Sequence, residues 1–199
     1  VIYTADQGFA LGEHGFSIKV APYDANISSP LIVSMPSQLP QGKVCDKPVN
    51  STDLVATTLP FPGSQHPGKR YEGWIAALPK DKDPEHAAWD HPTLLVHTGD
   101  IYGTDTNPIP TDPKKLAAQG GVPWWVMIRD SKMKYIRNLT AGEMEELYDL
   151  DADPEELHNL ARVPGHADQV KALREKAIAE LHRTDAPYAD ALPPVMDLP

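Results

Sequence analysis

Asp6 and Gln7 stand side by side after the β-branched and aromatic run Val1-Ile2-Tyr3-Thr4-Ala5, and they offer one carboxylate and one side-chain carbonyl. Such hard oxygen donors suit Ca2+ or Mg2+ better than zinc. Lys19, thirteen positions after Asp6, could meet an anionic ester group, and His14, within Gly12-Glu13-His14-Gly15, could orient a ligand. Each of these residues also has a purely structural reading. Asp-Gln-Gly is a common turn in which Asp bonds its own backbone, a lone lysine is ordinarily solvated surface, and a loop histidine can bond a carbonyl. Two ligands do not make a metal site, so spacing alone leaves the choice open.

The run that precedes Asp6 reads as a buried strand delivering polar residues at its carboxyl end, where α/β sheets place their sites. Gly8, Gly12 and Gly15 punctuate the loop beyond it, and Pro30-Leu31-Ile32-Val33-Ser34-Met35-Pro36 gives a second short strand. Ser51-Thr52-Asp53-Leu54-Val55-Ala56-Thr57-Thr58-Leu59 predicts a helix with hydroxyl or Asp capping, stopped by Pro60. The Pro- and Gly-rich stretch 60–70 and the charged stretch 79–92 predict a boundary to a smaller subdomain. Residues 93–98, 124–129 and 134–137 read as strands, the last two joined by the turn Asp130-Ser131-Lys132, and 147–150 adds another, which suggests an antiparallel sheet. Asp153-Pro154-Glu155-Glu156 carries the signals of a short helix start. A last helix over about 166–183 places Val170, Leu173, Ala177 and Leu181 on one face, and a frayed tail is expected from Ala186 to Pro199.

The 199 residues hold 18 Lys+Arg against 28 Asp+Glu, a net charge of −10, which argues against a nucleic-acid backbone binder. Twenty-one prolines predict many loops. The apolar run Val122-Pro123-Trp124-Trp125-Val126-Met127-Ile128 falls far short of the roughly 20 residues that span a bilayer. One cysteine, Cys45, excludes an internal disulfide and a Cys-rich zinc site. The chain opens on Val1 with no basic-then-apolar leader, so a start in mid-protein, with strand neighbours upstream, is expected.

The run Ile2-Tyr3-Thr4-Ala5-Asp6-Gln7-Gly8-Phe9-Ala10-Leu11-Gly12-Glu13-His14-Gly15, followed by Lys19, Tyr23 and Pro30-Leu31-Ile32-Val33, closely resembles the type I sulfatases of the alkaline phosphatase superfamily. Residues 51–59, Lys134-Tyr135-Ile136 and Leu147-Tyr148-Asp149-Leu150-Asp151-Ala152-Asp153-Pro154-Glu155-Glu156-Leu157-His158-Asn159-Leu160-Ala161 extend the likeness across roughly 1–161. The resemblance implies an α/β fold: a partial sulfatase or alkaline-phosphatase-like sheet sandwiched by helices, with a small carboxy-terminal antiparallel sheet plus helix subdomain. Residues 1–78 would be the carboxy-terminal part of the catalytic domain, and 79–199 a linker and smaller α+β subdomain. It further implies that Asp6 and Gln7 bind a divalent cation, usually Ca2+ with Mg2+ as the alternative, that Lys19 contacts the sulfate group, and that His14 stands in a supporting position. The implied function is sulfuric ester hydrolysis on a sulfated small molecule or glycan, in the periplasm or outside the cell.

The family's Cys-x-Pro-x-Arg motif, whose Cys becomes the formylglycine nucleophile, does not occur, and Cys45-Asp46-Lys47-Pro48-Val49 does not substitute for it. The nucleophile and the remaining cation ligands are therefore expected upstream. Two other readings stand beside this one: a phosphomonoesterase or phosphodiesterase of the same superfamily, and a non-catalytic carbohydrate-binding remnant in which Trp74, Trp89, Trp124 and Trp125 stack on sugars. Segment 97–125 is the candidate for substrate choice, with His97 and Asp100 as substrate contacts beside Thr98, Tyr102 and Asp105. The oligomeric state is not readable.

Overall fold

The computed structural model describes residues 1–17, 19–36, 39–58, 92–117 and 119–196. In chain order the regular elements are β1 (Ile2–Thr4), α1 (Asp24–Ile27), β2 (Leu31–Val33), α2 (Ser51–Thr58), β3 (Thr93–His97), α3 (Pro113–Leu116), β4 (Trp125–Asp130), β5 (Met133–Asn138), β6 (Glu146–Asp149) and α4 (Ala167–Arg183). They divide into two compact units, one of Val1–Thr4 with Leu31–Thr93, the other of Ala5–Pro30 with Leu94–Pro199. The expected boundary between 78 and 79 lies outside the described residues, as do Trp74 and Trp89.

In the first unit β1 pairs antiparallel with β2, Ile2 opposite Val33 and Thr4 opposite Leu31. The expectation that β1 is buried is not met: Tyr3 and Ile32 are each 61% exposed. Among the described residues each of these strands has a single hydrogen-bonded neighbour, and a two-stranded ribbon cannot bury its own faces. The helix expected after Ser51 forms, and its cap is Asn50. The Asn50 side-chain oxygen accepts from the Thr52 and Asp53 N–H groups, while the Asp53 carboxylate accepts from the Asn50 N–H at 2.8 Å, a reciprocal box.

The second unit is built on a four-stranded sheet in the order β3-β4-β5-β6. β4 and β5 form an antiparallel hairpin in register from Trp125 opposite Asn138 to Asp130 opposite Met133, leaving Ser131 and Lys132 as the turn. β6 pairs antiparallel with β5, Leu147 opposite Tyr135. Strand alternation then sorts side chains to two faces, and both are covered. Trp124, Val126, Ile128, Tyr135 and Leu147 pack with Val170, Leu173, Ala177 and Leu181 of α4, the helical stripe expected from the sequence. Trp125, Met127, Ile136 and Tyr148 face the other way and pack with Ala21, Phe16, Val20, Tyr23 and Ile27. The loop that carries the candidate site residues is thus the lid of the sheet's second face.

Two expectations fail in this unit. No helix starts at Asp153: Glu156 takes φ 56, its N–H closes a turn on the Asp153 carbonyl at 3.0 Å, and the Asp153 carboxylate accepts from the His158 N–H at 2.8 Å. An inward Glu156 side chain, only 2% exposed, bonds Lys134 and overrides the local capping signals. The tail is not frayed over its described part either. Tyr188 and Ala189 are buried in the α4 core, and the Gly142 and Met196 N–H groups tie 194–196 to the turn after β5.

Candidate functional site

Chain order puts Asp6 two residues beyond β1, and the loop brings Lys19 back to it. The Lys19 Nζ lies 2.9 Å from Asp6 Oδ2, and the Gln7 N–H donates to Asp6 Oδ1 at 2.9 Å. The second bond is the local turn contact that Asp-Gln-Gly suggested, so the turn and the paired charges coexist. The hydrogen bond from Lys19, and after it the one from the Gln7 N–H, holds the Asp6 carboxyl below the usual carboxylate range. Both side chains stay open to solvent, Asp6 at 73% and Lys19 at 42%. An ionised carboxylate and an ammonium side by side at the surface can meet a cation and an anionic ester together. At Gly8 a Cβ would overlap the Ala25 carbonyl oxygen and lie 3.0 Å from that of Ser28, so only glycine lets this loop lie against α1.

The loop is fastened to the sheet from behind. The Trp125 indole N–H donates to the Val20 carbonyl at 2.9 Å, one residue from Lys19. Lys134, fully buried on β5, lies 2.7 Å from Asp24 Oδ1 and 2.6 Å from Glu156 Oε1, and the Asp24 N–H donates to Glu156 Oε2 at 2.6 Å. Tyr23 O–H donates to Glu146 Oε2 at 3.1 Å, and Tyr148 O–H to the same oxygen at 2.7 Å. Burial, reinforced by Glu146, pushes both phenols well above their usual range. Burial likewise raises the Glu156 carboxyl, with Lys134 pulling against it.

His14 belongs to this fastening and not to the Asp6 pair. Its ring lies flat on Tyr23, centroids 3.7 Å apart and planes 1° apart, and its Nε2 is 2.9 Å from the Glu155 carbonyl oxygen. His97 stacks on Trp125 at 5.8 Å, the indole that also holds Val20, which brings the end of β3 to the neighbourhood of the Lys19 loop. Burial holds the His97 imidazole below its usual range, against the pull of Asp100, and its Nε2 is buried with no hydrogen-bond partner among the described residues. Asp100 is exposed and accepts from Gln119 Nε2 at 3.2 Å. No hydrogen bond among the described residues joins Asp100 to Asp6, Gln7 or Lys19.

Asp6 and Gln7 have the donor chemistry of a hard-cation site, but Ca2+ takes about 6–8 oxygens. Among the described residues no group of three His, Cys, Asp or Glu side chains could hold a metal ion. These residues therefore fit as part of a shell. Asp24, Lys134 and Glu156 were missed by sequence reasoning, although a lysine inside an apolar strand and a second glutamate after Asp153-Pro154 were the available signals.

No family model matches the chain. An ulvan-active sulfatase of Formosa agariphila is 26% identical over 207 residues, covering 90% of this chain and 36% of the relative. An N-acetylglucosamine-6-O-sulfatase of Bacteroides thetaiotaomicron is 26% identical over 190 residues, covering 96% of this chain and 30% of the relative. The chain is similar in sequence to these sulfatases over nearly all of its length. The solved structure of BT4656 in complex with its substrate D-glucosamine-2-N,6-O-disulfate superposes on this sulfatase-like chain with a TM-score of 0.65 at 25% identity, covering 95% of this chain and 34% of that one. The helices and antiparallel sheets described above are thus a partial α/β sulfatase fold. The sulfatase-like chain spans about a third of the length of the curated relatives it matches. None of these three is named a phosphatase. The carbohydrate-binding reading loses its described tryptophans, since Trp124 is 0% and Trp125 3% exposed, inside the core where no sugar can stack.

Proposed function

We propose that this chain contributes part of the cation and sulfate-binding site of a sulfuric ester hydrolase acting on a sulfated small molecule or glycan, in the periplasm or outside the cell. The observation that carries the reading is the Asp6–Lys19 pair, two opposite charges brought to 2.9 Å at an open surface by a loop whose back is packed on the sheet. The similarity to two named sulfatases supports it, as does the similar solved structure that holds a sulfated glucosamine as its substrate. In this reading Asp6 and Gln7 are oxygen ligands of a divalent cation, Ca2+ or Mg2+, which when bound stabilises negative charge on oxygen. Lys19 faces the sulfuryl oxygens and offsets the charge that builds on them as the ester bond breaks. His97 and Asp100 contact the alcohol part of the substrate. The nucleophile, a formylglycine by the family resemblance, and the other cation ligands come from residues outside these 199.

The test is turnover by the intact protein on aryl sulfate, choline sulfate and glucosamine-6-sulfate beside the matching phosphate esters, with and without a chelator. Sulfate release that stops on chelation and returns with Ca2+ supports the proposal. Preferential phosphate release favours the superfamily's phosphatase chemistry instead, and the 199 residues alone should release neither.

A further inference from the structure

We propose that Lys134, Glu156 and Asp24 form a buried positioning cluster through which the tail turn at Asp153–Glu156 holds the Asp6–Lys19 loop in register. This inference rests on the proposed function for its consequence, and on geometry alone for its existence. The three residues come from three separate places: α1, strand β5 and the turn after β6. Lys134 is fully buried and lies within 2.7 Å of both carboxylates, so its ammonium is compensated by the buried Glu156 and the partly exposed Asp24. Glu156 does two jobs with its two oxygens, one on Lys134 and one on the Asp24 N–H, the first N–H of α1. The next residue of α1, Ala25, presents the carbonyl oxygen against which Gly8 lies with no room for a Cβ. The path from Glu156 to Gln7 is therefore a chain of direct contacts: carboxylate to helix start, helix carbonyl to glycine, glycine to its neighbour. A second strut runs beside it, since Glu155 holds His14 through its carbonyl and His14 lies flat on Tyr23. Arg129 closes the outer side of the cluster, 3.8 Å from Asp24 Oδ2.

A buried charge that merely stabilised the fold would be indifferent to what the loop carries. A positioning cluster predicts that loosening it degrades the loop's ligand geometry more than the fold. Such supporting contacts are worth roughly 10–100-fold in metal affinity or activity when removed.

The experiment uses the intact protein with Glu156→Gln, and Val170→Ala as a control that loosens the opposite face of the same sheet. Three quantities are read: the unfolding midpoint, amide hydrogen exchange over residues 6–17, and the Ca2+ concentration giving half-maximal sulfate-ester hydrolysis. Glu156→Gln is expected to speed exchange over 6–17 and to raise the half-maximal Ca2+ by roughly 10–100-fold, while Val170→Ala lowers the midpoint and changes neither. A folded Glu156→Gln protein with parental exchange over 6–17 overturns the inference whatever its activity. Faster exchange in a protein whose parent shows no Ca2+-dependent sulfatase activity supports the cluster and overturns the functional reading instead. If Glu156→Gln does not fold, Gly8→Ala leaves every ion pair in place and displaces the loop at its contact with Ala25. Parental exchange and parental Ca2+ dependence in Gly8→Ala would then refute the path.

Discussion

The β1–β2 ribbon and the β3–β6 sheet are made of similar residues and meet opposite fates. Ile2, Tyr3 and Ile32 are 39%, 61% and 61% exposed, whereas Trp124, Ile128, Tyr135 and Ile136 are all at 0%. The difference is cover. The four-stranded sheet has α4 and the turn at Ala189–Ala191 on one face and the segment Phe16–Ile27 on the other. Apolar β-branched and aromatic runs thus specify a strand without specifying how many of its faces are covered. Lys19 belongs to the covering segment and Asp6 is ion-paired to it, so the candidate site is displayed on irregular chain resting on a rigid sheet, as binding residues often are.

The contrast can be broken most sharply at the buried ion pair on the α4 side. Arg174 is bonded to Glu145, whose side chain is fully buried and also accepts from Tyr135 O–H. Arg174→Ala leaves that carboxylate uncompensated and should cost about 3–5 kcal/mol in urea unfolding, while Arg183→Ala, which removes a mostly exposed guanidinium beside Glu180, should cost less than about 1 kcal/mol. Equal losses would mean that burial of the pair is immaterial. Next in size is a matched pair of truncations. Ile128→Ala in the covered sheet should lose about 2–5 kcal/mol, and Ile32→Ala in the ribbon no more than about 0.5 kcal/mol. A large loss at Ile32 would show that the ribbon is buried in solution. The smallest effect is a pH dependence at the edge between β3 and the loop. Burial depresses the His97 imidazole, so the folded state prefers the neutral ring. Its contribution to stability is complete above about pH 6.5 and is lost as pH falls from there through the lowered folded value. His97→Asn should flatten the stability profile between about pH 7 and pH 5; an unchanged slope would place the responsible group elsewhere.

Much of the sheet was legible because its signals are local. Val170, Leu173, Ala177 and Leu181 follow helical spacing and are all buried in α4, and Ser131-Lys132 is the two-residue turn between β4 and β5. The elements that sequence reasoning missed are those decided by distant partners. Charge ordinarily signals exposure, yet Lys134 is buried by Asp24, 110 residues earlier in the chain, and by a glutamate that the local pattern assigned to a helix start. The tail looked free because Pro193 and Pro194 carry no helical or strand signal, but their carbonyls accept from Arg137 and from the Gly142 N–H. Of the candidate site, Asp6 and Lys19 were singled out by the family likeness, whereas their ion pair and the loop's fastening were not foreseen.

Whether Asp6 and Lys19 act as one site on an anionic ester is tested most directly by kcat/KM of the intact protein carrying Lys19→Ala. Measured on a sulfate ester at saturating Ca2+, with the unfolding midpoint taken on the same sample, the value should fall by about 10²–10³ while the midpoint stays at that of the parent. An unchanged kcat/KM in the folded variant would contradict the account and remove Lys19 from the site.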